Sequence, residues 1–355
     1  MTTRMVLLGE AWGANEAEAK APFVGATGFH LFKLCTEAGI LTPDLGRAIA
    51  NAIWSHDYHR RDDLLLREGI RLTNVFNFQP PSNRIDALCG PRHDGMPPIR
   101  AGKYLRAEFY PELERLRGEL AAWRPNILVG LGATALWFAT GAGQITRKRG
   151  TISDTPYGKF LATFHPAYLL RGAANMRPIV ISDLIKANRH SASAVVERPD
   201  RTIYIPENLD DLADAFRQIE RSQLLAVDIE TAKGQITCIG FSWTPDQALV
   251  IPIWDATRSD NSYWSEVDEL LVWEWVRRIC GLPVPKVFQN GLYDLHYIWR
   301  GYGITVANCL HDTMLLHHAL QPEVQKSLGF LGSLYSDEPA WKQMRHRTTL
   351  KREDV

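Results

Sequence analysis

A chain of 355 residues with 45% hydrophobic and 23% charged content holds enough apolar mass for about two ordinary domains, which excludes a disordered or fibrous protein. Forty basic residues balance 40 acidic ones, so a DNA-binding face would have to be local and offset by acid elsewhere. The five cysteines (Cys35, Cys89, Cys238, Cys280, Cys309) include no Cys-x-x-Cys pair, which argues against zinc ribbons, redox motifs and a disulfide framework.

The start, MTTRMVLLGEAWG, has too short an apolar run for a signal peptide, and no stretch approaches the roughly 20 apolar residues of a membrane span. A cytoplasmic protein with no membrane partner is expected. In the first half MVLLGE (5–10), RLTNVFNF (71–78), NILVGLG (126–132) and FLATFHP (160–166) read as buried strands ending in polar or glycine positions. Between them, TGFHLFKLCTEAGI and YPELERLRGELAAW carry apolar residues at helical spacing. Strand–helix alternation predicts a parallel sheet covered by helices, with ligands bound where the strands end.

A helix around Ile181–Arg189 closes this half, and residues 191–201 form the expected linker. Then the pattern restarts. RTIYIP reads as a strand, ENLDDLADAFRQIERS as an amphipathic helix and LLAVDIET as a second strand. GQITCIGFSWT and QALVIPIW continue as an antiparallel meander, and helical segments take over from Tyr263, including LYDLHYIWRGYG and HDTMLLHHAL. Two α/β domains are therefore expected, 1–190 and 202–355.

Several strand ends of the first half carry groups that could converge. Glu10 follows MVLLG, Asn74 lies inside RLTNVFNF, His165 ends FLATFHP, and PFVG supplies Phe23 from the loop after the first strand. A single residue of these kinds more often serves structure than chemistry, but all of them at strand ends is a stronger signal.

The run GEAWGANEAEAKAPFVGATG resembles the first motif of the family 4 and family 5 uracil-DNA glycosylases, which show a Gly-Glu start, a nearby Glu and Pro-Phe-Val-Gly. LTNVFNFQPPSNR, ILVGLGATALWFATG and FHPAYLLR resemble, in family order, that family's Thr-Asn…Pro-Pro-x-Asn-Arg segment, its Leu-Gly-Ala-Thr strand–helix and its His-Pro motif. The resemblance implies a glycosylase-like three-layer α/β/α domain that takes a flipped nucleotide into a pocket. It implies that Phe23 stacks on the base, that Asn74 reads its amide edge with Glu16 nearby, and that Glu10 positions or activates water. His165 would donate to the uracil oxygen as negative charge develops. Leu169 or Leu170 would fill the vacated space in the duplex. Arg147, Lys148 and Arg149 in ITRKRG would hold phosphates, although alone they read as a solvated basic turn.

Two departures stand out. Family 4 enzymes hold an iron–sulfur cluster on four cysteines, whereas this half has Cys35 and Cys89, so no cluster is expected. Trp12 stands where the family has proline, in the loop that shapes the water site, which makes uracil recognition a firmer expectation than excision.

In LLAVDIET, Asp228 and Glu230 lie two apart on a strand and so share a face. Side-by-side acids suit a hard cation such as Mg²⁺ or Mn²⁺, but an isolated Asp-x-Glu is usually a solvated pair. DIET together with NGLYDLHYIW, which carries Asn290, Tyr293 and Asp294, and HDTMLLHHAL resembles the 3′–5′ exonuclease domain of family A DNA polymerases, most of all the phage type. That implies a ribonuclease-H-like (DnaQ-like) fold in which Asn290 and Tyr293 touch DNA and Asp228, Glu230 and Asp294 hold metal. A two-metal site about 3.5–4 Å between ions needs a further carboxylate, from a Tyr-x-x-x-Asp motif expected just past Val355. Asp312 belongs to an intermediate segment, and neither Asp337 nor Asp354 fits the motif. The second domain is thus expected to be incomplete at its C-terminal end, with the motif on a separate polymerase polypeptide as one possibility.

Taken together, the resemblances imply a DNA replication or repair protein of a bacterial cell or phage-infected host, the front part of a phage-type polymerase. The alternative is a non-catalytic module that reads uracil or DNA ends and tethers a polymerase; a third is a glycosylase for another base. Smaller signals carry less. His56 and His59 lack a third metal ligand in view, His317 and His318 read as helix residues, and Lys342 to Arg352 read as a solvated basic tail.

Overall fold

A computed structural model describes residues 3–92, 97–100 and 102–338 of the chain. The strands are β1 (Met5–Ala11), β2 (Ile70–Phe76), β3 (Cys89–Gly90), β4 (Tyr104–Leu105), β5 (Ile127–Leu131), β6 (Ile152–Thr155) and β7 (Gly158–Thr163), then β8 (Thr202–Tyr204), β9 (Leu225–Ala232), β10 (Gln235–Thr244), β11 (Gln247–Pro252), β12 (Lys286–Phe288) and β13 (Cys309–Asp312). They fall into two compact units. One takes Met1–Glu197 and resumes at Gly329; the other takes Arg198–Leu328.

In the first unit the sheet order is β2-β1-β5-β7-β6. All neighbours are parallel except the β6–β7 hairpin. Val6, Leu8 and Leu128 pack in one cluster with the helices Tyr110–Trp123 and Ala133–Thr140. The alternate residues Met5, Leu7, Ile127 and Val129 are equally buried, so both faces of the sheet are covered. That is why these strands read as continuous apolar runs and not as an alternation. The hairpin strand β6 has no such run, and sequence patterning did not separate it from the basic turn before it.

The second unit has the order β13-β12-β9-β10-β11-β8. β9, β10 and β11 form the expected antiparallel meander, with β8, β12 and β13 added in parallel. Here one face is wet: along β9, Leu225, Val227 and Ile229 are buried while Ala226, Asp228 and Glu230 are exposed. β12 and β13 lie in the stretch expected to be helical, because three or four residues are too few to display a period of two.

The two units divide at Glu197/Arg198, and the second does not keep everything after that point. Residues 329–338 return to the first unit on the helix Leu328–Tyr335. Phe330 and Leu331 are buried there, and the Arg149 guanidinium lies 5.2 Å from the Phe330 ring centroid. Lys186 Nζ donates to the carbonyls of Gly150 (2.8 Å), Ser333 (2.6 Å) and Ser336 (2.6 Å). The basic tail from Lys342 to Arg352 and Asp354 lie outside the described residues. Among the described residues no helix is long and apolar enough to cross a membrane.

Candidate active sites

At the carboxyl ends of β1, β2, β5 and β7 a cavity of about 550 Å³ opens, lined by Glu10, Glu16, Phe23, Asn74, Gly132 and His165 among others. Asn74 pairs with Gly9 across β1 and β2. A Cβ at Gly9 would lie 2.0 Å from Asn74 Oδ1 and 2.7 Å from Phe23 Cζ, so only glycine lets both side chains crowd over β1. The Asn74 carbonyl accepts from Arg115 Nη2 (2.8 Å), which fixes the strand end. Its side chain lines the cavity.

Phe23 holds a left-handed backbone, φ 56°, a conformation that persists only where its surroundings impose it. Glu16 and Arg61 both hold that loop by hydrogen bonds to its backbone. Glu16 Oε1 accepts from the amides of Val24 (3.2 Å) and Gly25 (3.0 Å), and Oε2 from Gly13 (3.1 Å). The fully buried Arg61 donates through Nη1 to the Pro22 carbonyl (2.6 Å). Glu10 accepts from the hydroxyl of buried Thr134, in the first turn of the helix after β5.

His165 caps the helix Pro166–Leu170, its Nδ1 accepting from the Ala167 amide (3.2 Å). With Nδ1 committed as an acceptor, the neutral ring carries its proton on Nε2. Burial, with a lesser push from Arg171, lowers the imidazole to about 4, so it is neutral near pH 7. Across the mouth, Arg84 and Arg100 line the cavity and, with Lys103, converge on Asp86 at 3.8, 3.3 and 3.0 Å.

In the second unit Asp294 faces the acid-bearing strand: its Oδ1 accepts from the Ile229 amide (3.0 Å). Burial, with Asp228 adding repulsion, pushes its carboxyl up to about 6. The Tyr293 hydroxyl meets Thr231 Oγ1 at 2.5 Å, which ties the helix Leu292–Tyr302 to the end of β9. Asp312 takes hydrogen bonds from the amides of Asn290 (3.2 Å), Gly291 (2.8 Å), Met314 (2.8 Å) and Leu315 (3.3 Å). Burial pushes that carboxyl up, the four amides outweigh it, and the net is below the ordinary carboxylate range. Asp312 is thus a clasp between two helix starts. Among the described residues no three His, Cys, Asp or Glu side chains are gathered closely enough to hold an ion, although three acids share this sheet end and their oxygens suit Mg²⁺ or Mn²⁺.

Residues 1–187 match the Uracil DNA glycosylase superfamily. The chain belongs to the uracil DNA glycosylase superfamily. A Type-4 uracil-DNA glycosylase of Thermotoga maritima is 32% identical over 196 residues, covering 53% of this chain and 77% of that protein. Residues 203–348 match a 3′-5′ exonuclease family. Among solved structures, RNase D of Escherichia coli is 15% identical with a TM-score of 0.33, over 43% of this chain and 38% of that one. The EXO domain of Aedes aegypti Nibbler is 14% identical with a TM-score of 0.32, over 44% and 80%. The chain thus spans less than half of the RNase D structure.

For this superfamily member, the cavity gathers Glu10, Phe23, Asn74, Glu16 and His165, and both Glu16 oxygens accept from backbone amides. Ala11 and Gly13 line the cavity and Trp12 does not. Two expected DNA contacts are corrected. Arg149 is 1% exposed and ion-paired with Asp183, so its charge is not offered to phosphates. Leu169 is 5% exposed, packed on the inner face of its short helix, whereas Leu170 is 52% exposed and Arg147 is exposed. Lys148 is partly buried.

A four-cysteine cluster does not fit the residues present. The first unit's cysteines are Cys35 and Cys89, and burial pushes the Cys35 thiol up to about 12. Asp337 belongs to the first unit, where it accepts from Arg189 at 2.5 Å. Sequence reading missed Thr134 and Arg61 as positioning residues. Thr134 sits in the Gly-Ala-Thr run that signalled the family, while Arg61 carried no local signal.

Proposed function

We propose that the first unit excises uracil from DNA and that the second trims 3′ ends, in a phage-type replication or repair protein of the bacterial or infected-cell cytoplasm. The observation that carries the reading is that Glu10, Phe23, Asn74 and His165 line one cavity at the sheet's carboxyl edge. Cleaving the glycosidic bond leaves positive character on the sugar and an anion on the base. The extruded base stacks on Phe23, and the Asn74 amide offers one acceptor and one donor to its imide edge. His165 donates its Nε2 proton as a hydrogen bond to the uracil oxygen while charge builds; a neutral donor serves because the anion forms only in the transition state. Glu10, aimed by Thr134, orients the attacking water. Leu170 wedges the duplex, and Arg147 together with the Arg84–Arg100 rim meets phosphates.

In the second unit Asp228, Glu230 and Asp294 would hold Mg²⁺ or Mn²⁺, which supplies an activated water and steadies the leaving oxygen when bound. A further carboxylate from outside the described residues completes that set, on this polypeptide or on a separate polymerase chain. Three acids that are not drawn together favour a second reading for this unit, a DNA-end binder that tethers a polymerase.

The test is a uracil-containing oligonucleotide incubated with and without EDTA and then treated with alkali. Strand cleavage at the uracil, insensitive to EDTA and reduced at least a hundredfold in Glu10→Ala, is expected; binding without cleavage would sink the excision reading. A magnesium-dependent 3′ ladder lost in Asp228→Ala would show the second unit catalysing alone, against the tether.

The state of His165 also sets a pH dependence. Its folded value of about 4 lies below the ordinary value near 6.5, so its stabilising effect is complete above that value and is lost as pH falls toward 4. Stability of the first unit is expected to decline across that window, and His165→Gln should flatten the decline. An unchanged slope in the variant would contradict the assignment.

A further inference from the structure

We infer that Arg115, on the helix Tyr110–Trp123, is a positioning residue for base recognition in the first unit. Its guanidinium takes the place of a neighbouring strand and holds the end of β2 that carries Asn74. The inference rests on the proposed reading of the first cavity, and adds to it a residue that does not line the cavity.

The need for such a residue follows from the sheet order. β2 is the outermost strand, with β1 on its inner side, yet Thr73, Asn74, Val75 and Phe76 at its carboxyl end are all buried. Buried carbonyls on the outer edge of a strand need a donor that no strand supplies. Arg115 supplies it. Its Nη2 donates to the carbonyls of Asn74 at 2.8 Å and Val75 at 3.3 Å, while Nη1 reaches Thr73 Oγ1 at 3.4 Å.

Two carboxylates of the same helix aim the guanidinium. Glu112 Oε2 accepts from Arg115 Nε at 3.0 Å, and Glu119 Oε1 accepts from Nη1 at 2.6 Å. They stand one turn to either side of Arg115, so all three share one helix face. Each carboxylate also reaches β2 or its end: Glu112 Oε2 accepts from the Asn77 amide and Glu119 Oε2 from the Thr73 hydroxyl, both at 2.8 Å. One helix face thus fastens the chain before, at and after Asn74. A charged triad on a helix is usually worth little to stability, but this one ends on the main chain of a base-reading residue. A Cβ on Gly9 would come 2.0 Å from Asn74 Oδ1, so the amide lies against β1 and any slip of β2 along its neighbour carries the amide with it. A lysine offers one point of charge where the arginine fork donates in several fixed directions.

A double-mutant cycle on the full chain tests this, read as single-turnover uracil release in EDTA with protein in excess over a uracil-containing oligonucleotide. Arg115→Met is expected to slow release roughly tenfold, within the loss that a misplacement of about 1 Å causes, and Arg115→Lys should recover little of it. In an Asn74→Ala background the same Arg115→Met change should slow release by about twofold or less, because a residue that acts through Asn74 has nothing left to position. Hydrogen exchange of the DNA-free protein, read by mass spectrometry, should quicken in Arg115→Met over residues 73–77 and keep the parent's rate over β5. Arg117→Met, on the same helix, should match the parent in both measurements. A tenfold loss that persists in Asn74→Ala, or exchange that quickens equally in both strands, would overturn the inference and leave Arg115 a general stabilising residue. A parent protein that releases no uracil would sink the excision reading by itself, and the exchange pattern would still decide whether Arg115 holds the end of β2.

Discussion

Arg149→Ala is expected to lower the stability of the first unit by about 3–5 kcal/mol, the usual effect of stripping one partner from a buried ion pair. Arg149 Nε donates to Asp183 Oδ2 at 2.8 Å, Nη2 donates to the other oxygen, and Nη1 donates to Ser333 Oγ at 3.0 Å. Thr163 Oγ1 also donates to Asp183 Oδ2, at 2.6 Å. Burial pushes the Asp183 carboxyl up, and the guanidinium facing it opposes that push. Removing the arginine leaves a carboxylate among β7, its helix and the returning helix with too few donors, and frees the hold on Ser333. The comparison is internal: exposed Arg147→Ala, two residues away, should stay within about 0.5 kcal/mol of the parent. Replacing both charges together, Arg149→Met with Asp183→Leu, should recover much of the loss because no unpaired charge remains. Urea denaturation midpoints check all three, and an Arg149→Ala protein as stable as Arg147→Ala would refute the buried-pair account.

The second large effect falls on activity. Gly9→Ala is expected to reduce uracil excision, as kcat/KM, by on the order of a hundredfold, since misplacing reacting partners by about 1 Å has that effect. The added methyl would sit 2.0 Å from Asn74 Oδ1 and 2.7 Å from Phe23 Cζ, so the base-reading amide and the stacking ring must both shift. Gly9 is not among the positive-φ glycines, so alanine fits the strand backbone and thermal stability should change far less than activity. Excision within about twofold of the parent would mean that neither side chain meets the base.

Much of this was legible in the sequence, and the failures have a common physical origin. The strands β1, β2, β5 and β7 announced themselves because a two-sided parallel sheet buries every residue, and the candidate site followed because its polar groups sit where those runs stop. β9 was equally clear from its alternation of buried and exposed residues. What could not be read were pairings set by distant partners. Arg149 looks like the middle of a basic turn, because Asp183, 34 residues on, is what draws it inside. Arg61 seems one more charge in a polar helix, yet it is spent on the carbonyl before Phe23. Leu169 and Leu170 are identical neighbours, and only the docking of a one-turn helix decides which is buried. The return of residues 329–338 to the first unit left no local trace either, since an apolar helix advertises burial without naming its partner.

Glu10, Asn74 and His165 line the cavity proposed to break the bond between uracil and its sugar. Free uracil released from uracil-containing DNA by the intact chain in EDTA, separated and quantified over time, tests it most directly. Steady multiple-turnover release is expected, and it should disappear in Glu10→Ala while Asp228→Ala matches the parent. Uracil that stays attached to the strand, however tightly the protein binds it, would rule out excision by this cavity.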